Sequence, residues 1–479
     1  MRKILYVASE AVPFAKTGGL ADVAGSLPAA LKKQGCDIRV VMPKYGMIPD
    51  EYKRKMKHVT SLEIPVAWRK KYLGIEKLVL NDVTFYFLDN EEYFKREGLY
   101  GYGDDAERFA FFSEAVLQML PAIGFWPEII HANDWHAALV SVFLKLHHMG
   151  DERYAGIKTI FTIHNLKYQG VFPDTVMEDV LGLSRKYFDN GDLEFYGAVN
   201  FMKGGLIYSD LITTVSESYA QEIQYPYFGE KLDGLLRSRK NVLSGILNGI
   251  DYDFYNPSKD TNIFETFDAD SIDRKIDNKI ALQRYLGLPE ERNVPALALV
   301  SRLVQPKGLD LIVRVMDEIL QYENVQLIVL GSGDKNYEDW FKGLAWRFPS
   351  KVSANIKFSH ELAQKIYAAA DIFLMPSNYE PCGIGQMIAM RYGTIPVVRA
   401  TGGLRDTVKP YDKNTGEGTG FVFENYNAHD FMYAVKKAIS AYGDINVRQR
   451  IIKNAMTADF SWNHSAKEYS RLYDRALGK

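Results

Sequence analysis

Short unbroken apolar runs recur along the first half of the chain, at residues 4–8, 38–42, 84–88, 128–132, 159–164 and 211–215. Such runs suit strands of a parallel sheet covered on both faces, where alternation with polar residues is lost. Between the first two, Leu20, Val23, Leu27 and Leu31 recur at helical spacing until Gly35, so the chain opens as a βαβ unit. The later intervals are long enough for crossover helices. A second series of runs follows at 296–300, 326–330, 371–375 and 395–398, and residues 462–477 read as a closing helix. Residues 251–277 between the two series are polar, acidic and poorly periodic, which places a domain junction at Asn248-Gly249-Ile250. The expected fold class is α/β, with two doubly wound Rossmann-like domains, residues 1–249 and 250–457, facing each other across a cleft.

Composition narrows the partners. A chain of 479 residues with 47% hydrophobic content exceeds what one core organises. A formal net charge of -2 gives no global attraction to nucleic acid or to an anionic membrane, so any phosphate site must be local. The basic start Met1-Arg2-Lys3 precedes an apolar run that Ser9 and Glu10 cut short, which reads as a buried strand rather than a signal segment. Two cysteines, Cys36 and Cys382, offer neither a disulfide framework nor zinc-ligand spacing, and a cytoplasmic protein is expected.

Doubly wound sheets bind ligands beyond the carboxyl ends of their strands, so the residues just after each run carry the information. After the first run, Lys16-Thr17-Gly18-Gly19 opens a helix, where free N–H groups and the helix dipole favour an anion; an ordinary tight turn is the competing reading. Residues 128–132 lead into Asn133-Asp134-Trp135-His136. A carboxylate beside an aromatic ring suits a sugar, although Asp134 as helix cap and Trp135 as core explain the same residues. The next run ends in His164, with Tyr168, Gln169 and Gly170 shortly after. In the second half, Arg302 and Lys307 follow a strand at the spacing of a turn and suit a diphosphate, with a solvated surface pair as the alternative. Residues 376–386 join Glu380 to the turn Cys382-Gly383-Ile384-Gly385, and Thr401-Gly402 repeats the theme. No acidic cluster or HExxH-like spacing calls for a metal.

These motifs occur together in an order that resembles the bacterial glycogen synthases and plant starch synthases, retaining glycosyltransferases of the GT-B fold. The resemblance is carried by KTGGLADV from Lys16, NDWHAA from Asn133, TIHNLKYQG from Thr162, LNGID from Leu247, NKIALQ from Asn278, SRLVQPKG from Ser301, YEPCGIGQ from Tyr379 and TGGLRDTV from Thr401. It implies ADP-glucose as donor, an α-1,4-glucan as acceptor and no cofactor or metal. Lys16, Gly18 and Gly19 would contact the diphosphate, with Arg302 and Lys307 stabilising the leaving group. His164, Asp134 and Glu380 would surround the transferring glucose. Asn248, Cys382, Gly383, Ile384, Gly385, Thr401 and Gly402 would line the donor site, and Phe358 would stack on the base. Trp135, Tyr168 and Gln169 are assigned to the acceptor glucan, and residues 458–479 would pack back toward the first domain. Ala21, Ala137 and Gly385 depart from residues common in the family. Competing readings keep the fold with UDP-glucose, phosphorylase or epimerase chemistry, or make the chain a silent glucan-binding protein.

Overall fold

The structure, a computed structural model, describes residues 1–479, which divide into two compact units. The first comprises Met1–Val215, Ala220–Gly249 and Trp462–Lys479; the second comprises Ser216–Tyr219 and Ile250–Ser461. No helix is long and apolar enough to cross a membrane.

In the first unit, the strands are β1 (Lys3–Val7), β2 (Asp37–Pro43), β3 (Lys57–Val66), β4 (Arg69–Leu80), β5 (Val83–Asp89), β6 (Ile129–Asn133), β7 (Lys158–Ile163), β8 (Val171–Pro173), β9 (Glu194–Phe195), β10 (Ala198–Asn200), β11 (Leu211–Thr214) and β12 (Leu243–Gly245). Nine of them form one sheet in the order β12-β11-β7-β6-β1-β2-β5-β4-β3, and β8, β10 and β9 form a small separate one. Six of the nine match the apolar runs. The hairpin β3–β4 does not: it is antiparallel, and its charged residues alternate with buried Ile64, Val66, Leu73 and Ile75 because one face is solvated. The helix Gly19–Lys33 buries Leu20, Val23, Leu27 and Leu31. The closing helix, Trp462–Leu477, packs against it and against β7, burying Trp462, Tyr469 and Tyr473.

The second unit holds β13 (Ala296–Val300), β14 (Gln326–Leu330), β15 (Val352–Asn355), β16 (Ile372–Met375), β17 (Ile395–Arg399) and β18 (Phe421–Phe423), all parallel, in the order β15-β14-β13-β16-β17-β18. Its core packs β13 and β14 against the amphipathic helix Leu309–Tyr322, through Leu297, Leu299, Leu327 and Val329 on the sheet and Ile312, Val315, Met316 and Ile319 on the helix.

Strand order reverses between β1 and β6 in the first unit and between β13 and β16 in the second. At such switch points the loops leaving neighbouring strands diverge and open a crevice. The residues singled out from the sequence cluster after these strands and their neighbours.

Candidate active site

In the first unit Val7 lies opposite Ala132, and Asn133 opposite Thr162, so Glu10, Asp134 and His164 follow adjacent strand ends. Asn133 is buried, and its Nδ2 donates to the carbonyls of Val7 (3.0 Å) and His131 (3.3 Å). Its Oδ1 is therefore the acceptor, receiving the Tyr6 hydroxyl (3.0 Å) and His164 Nε2 (2.9 Å). This fixes the tautomer: His164 carries its proton on Nε2 and leaves Nδ1 as an acceptor. Burial pushes the His164 pKa down to about 3, so the ring is neutral at pH 7.

Asp134 adopts φ 55°, a conformation rare for a residue with a side chain. It sits at the N-terminus of the helix Trp135–Leu146 without capping it. Its Oδ1 instead accepts the backbone N–H of His164 (2.7 Å) and, more weakly, of Asn165 (3.4 Å). Those bonds favour the carboxylate, but burial outweighs them and pushes the pKa up to about 7, with the Glu10 charge adding to the rise. His131 Nε2 meets Thr162 Oγ1 (2.6 Å) and its Nδ1 meets the Tyr473 hydroxyl (2.9 Å), tying the closing helix to β6 and β7.

The Lys16–Gly19 turn is exposed, and Lys16 Nζ pairs with Asp22 at 2.7 Å. The turn rests on Glu10, which sequence reading passed over as a mere interruption of an apolar run. Asn248 is 4% exposed and its Oδ1 has no hydrogen-bond partner, so one acceptor is left open there.

Two of the residues assigned to the acceptor are engaged within the fold. Trp135 is buried, its ring surrounded by Phe109, His136, Phe172 and Phe201. The Gly170 backbone presses on it so closely that a Cβ there would lie 2.3 Å from the ring. Gln169 spends its amide internally: Nε2 donates to Leu166 O (3.1 Å) and Glu230 O (3.0 Å), and Oε1 accepts from Asn200 (2.6 Å). Trp135 is core and Gln169 a brace; of the three, Tyr168 alone presents a surface, at 59% exposure.

In the second unit, Lys307 Nζ lies 2.6 Å from Glu380 Oε2, which also accepts the Ser377 hydroxyl at 3.1 Å. Glu380 is buried, Lys307 half-buried and Arg302 exposed without an internal partner. The loops after β13 and β16 touch. Asn378 N–H donates to Pro306 O (2.9 Å), and Gly308, at φ 71°, approaches Pro376 O so closely that a Cβ would stand 1.9 Å from it. The loop after β17 lies against that after β16: Cβ atoms on Gly402 and Gly403 would each be 2.0 Å from the carbonyl oxygens of Glu380 and Cys382. Buried Gln386 fastens the turn between them, donating to Cys382 O, Gly383 O and Thr407 Oγ1, each at 3.1 Å. Lys307, Glu380, the Cys382–Gly385 turn and Thr401-Gly402 are thus brought together. Phe358 lies apart from them, after β15, 77% exposed and edge-on to His360. Cys382 is buried, and neither cysteine forms a disulfide.

A switch point armed with two cations and a carboxylate, in a chain whose other sheet presents a neutral histidine and a second acid, suits a transferase acting on a phosphorylated ligand. Residues 3–238 match the family described as the starch synthase catalytic domain, and residues 284–457 match glycosyl transferases group 1. The chain is 56% identical to the glycogen synthase of Desulforamulus reducens over 475 residues, 99% of each chain. It is 52% identical to that of Clostridioides difficile, covering 98% of this chain and 99% of the other. The catalytic domain of starch synthase IV from Arabidopsis thaliana, solved bound to ADP and acarbose, superposes with a TM-score of 0.92 at 33% identity, covering 100% of both chains. Sucrose-phosphate synthase from Thermosynechococcus elongatus shares the fold, with a TM-score of 0.62 at 19% identity. The chain belongs to the family of bacterial glycogen synthases and plant starch synthases, and it is a retaining glycosyltransferase.

Proposed function

We propose that the enzyme transfers glucose from ADP-glucose to the non-reducing end of an α-1,4-glucan in the cytoplasm, with retention at the anomeric carbon and without a resident metal. The observation that carries this reading is the Lys307–Glu380 pair beside unpartnered Arg302 at the second switch point. Arg302 and Lys307 hold the diphosphate and neutralise the charge that develops as it leaves, the work a metal does in other transferases. The Cys382–Gly385 turn offers it further amides, and the Lys16–Gly19 turn is assigned to diphosphate binding. Exposed Phe358 is assigned to stacking on the base.

Glu380 and Asp134 are acceptors for sugar hydroxyls. His164 accepts a further hydroxyl on Nδ1, because its other nitrogen is committed to Asn133. Departure of the phosphate leaves an oxocarbenium-like centre. The leaving phosphate oxygen takes the proton of the incoming 4-hydroxyl on the same face, so no carboxylate nucleophile of the glycosidase kind is needed. Positioning and preorganised charge supply the acceleration.

Turnover of ADP-glucose with glycogen is expected to fall about 10²- to 10³-fold in both R302A and K307A, the cost of removing one preorganised charge from a transition state. Circular dichroism should stay unchanged. Near-normal turnover in both variants contradicts the assignment.

A further inference from the structure

Glu10, three residues beyond β1, is 3% exposed. Its Oε2 accepts both the backbone N–H and the hydroxyl of Thr17, the latter at 2.8 Å. Gly18 follows directly, and a Cβ on it would stand 3.6 Å from Glu10 Oε1. One buried group thus takes two donors from Thr17, in the turn that carries Lys16. Gly18 occupies the N-cap position of the helix Gly19–Lys33 and, having no side chain, leaves the cap unmade. Glu10 instead holds the residue before the cap, Thr17, through its N–H and its hydroxyl. Because it sits under the turn, residues 16–19 keep their outer surface open to solvent.

No cation pairs with Glu10, since Lys16 is engaged with Asp22. The groups that feel its charge are Asp22 on the helix, Asp134 after β6, and the hydroxyls of Tyr45 and Tyr100. Burial pushes its pKa up, and the bonds from Thr17 oppose that rise. A carboxylate kept under such conditions restricts the turn to the one geometry that satisfies it.

We infer that Glu10 is a positioning residue for donor binding: it fixes the Thr17-Gly18 turn so that Lys16 and the opening amides of the helix Gly19–Lys33 receive the diphosphate. The inference rests on the donor reading given above. E10Q retains an acceptor for Thr17 but turns an NH2 group toward Gly18, whereas T17V removes only the hydroxyl donor.

The test compares wild type, E10A, E10Q and T17V by donor KM, kcat and calorimetric affinity for ADP. In E10A the donor KM is expected to rise and ADP affinity to fall at least about tenfold, as for lost hydrogen bonds to a charged group, with kcat within about threefold. E10Q falls between E10A and wild type, and T17V shows the smallest change. A strut with only a folding role would lower the active fraction, reducing kcat and leaving KM untouched. Wild-type KM and ADP affinity in E10A and E10Q overturn the proposal while the donor reading stands; should E10A fail to fold, E10Q and T17V decide it on the same readouts. A wild-type protein that does not bind ADP removes the donor reading and this proposal with it.

Discussion

Asp134 shows what a functional residue costs its fold. It holds a strained φ of 55° and a carboxylate whose pKa is pushed up to about 7, and it leaves the following helix uncapped. Its role in stability has a definite sign. Between the ordinary aspartate value of about 4 and about 7 the native state binds the proton more tightly than the unfolded state, so stability falls as pH rises through that window and stays low above it. An asparagine side chain in its place carries no charge, still accepts the His164 N–H through its amide oxygen, and tolerates positive φ better. D134N is therefore expected to be more stable than wild type at pH 8, by an amount on the order of a few kcal/mol, with the gap closing toward pH 4. Urea unfolding at the two pH values measures it; a gap that does not change with pH contradicts the account. Transfer activity should be lost in the same variant.

Residue chemistry was only partly legible in the sequence. His164, Lys307 and Glu380 follow strands, where pattern alone directs attention. Glu10 was hidden because its partner, Thr17, lies seven positions on and only the folded turn brings it back. Trp135 and Gln169 show the opposite limit. Residue type suggested sugar contact, but the aromatic shell and the bonds to Leu166, Glu230 and Asn200 that consume them become visible only in the folded chain.

At the scale of elements, continuous apolar runs located the central parallel strands, because strands buried on both faces need little besides apolar residues. Short edge strands such as β12, β15 and β18 lack that signal, and β3–β4 carries the alternating one of a half-solvated hairpin. What positions the second half-site is contact between loop backbones. The loops after β16 and β17 are held at a distance that excludes a side chain at Gly403, whose Cβ would meet Cys382 O at 2.0 Å. G403A is expected to cost about 1–3 kcal/mol in stability, as overpacking does, and to reduce turnover by shifting the Cys382–Gly385 turn. G443A, where a Cβ would meet nothing within 4 Å, serves as the comparison and should be close to neutral. Equal behaviour of the two variants in thermal unfolding would show that the close contact does not constrain the turn.

For the whole molecule, chain connectivity assigns distinct duties to two independently cored units. The closing helix belongs to the first unit although it follows the second in sequence. Tyr473 reaches His131 under the site and Asp474 pairs with Arg2 at 2.6 Å. A helical pattern announces that helix, but the surface it covers is invisible until the fold is known. Synthesis of an α-1,4-glucan from ADP-glucose is measured by incubating the protein with glycogen and either ADP- or UDP-[14C]glucose, then digesting the polymer with an α-1,4-specific hydrolase. Label is expected to enter the polymer from ADP-glucose in preference to UDP-glucose and to be released by the hydrolase. Label that fails to enter from ADP-glucose, or that resists the hydrolase, contradicts the proposed function.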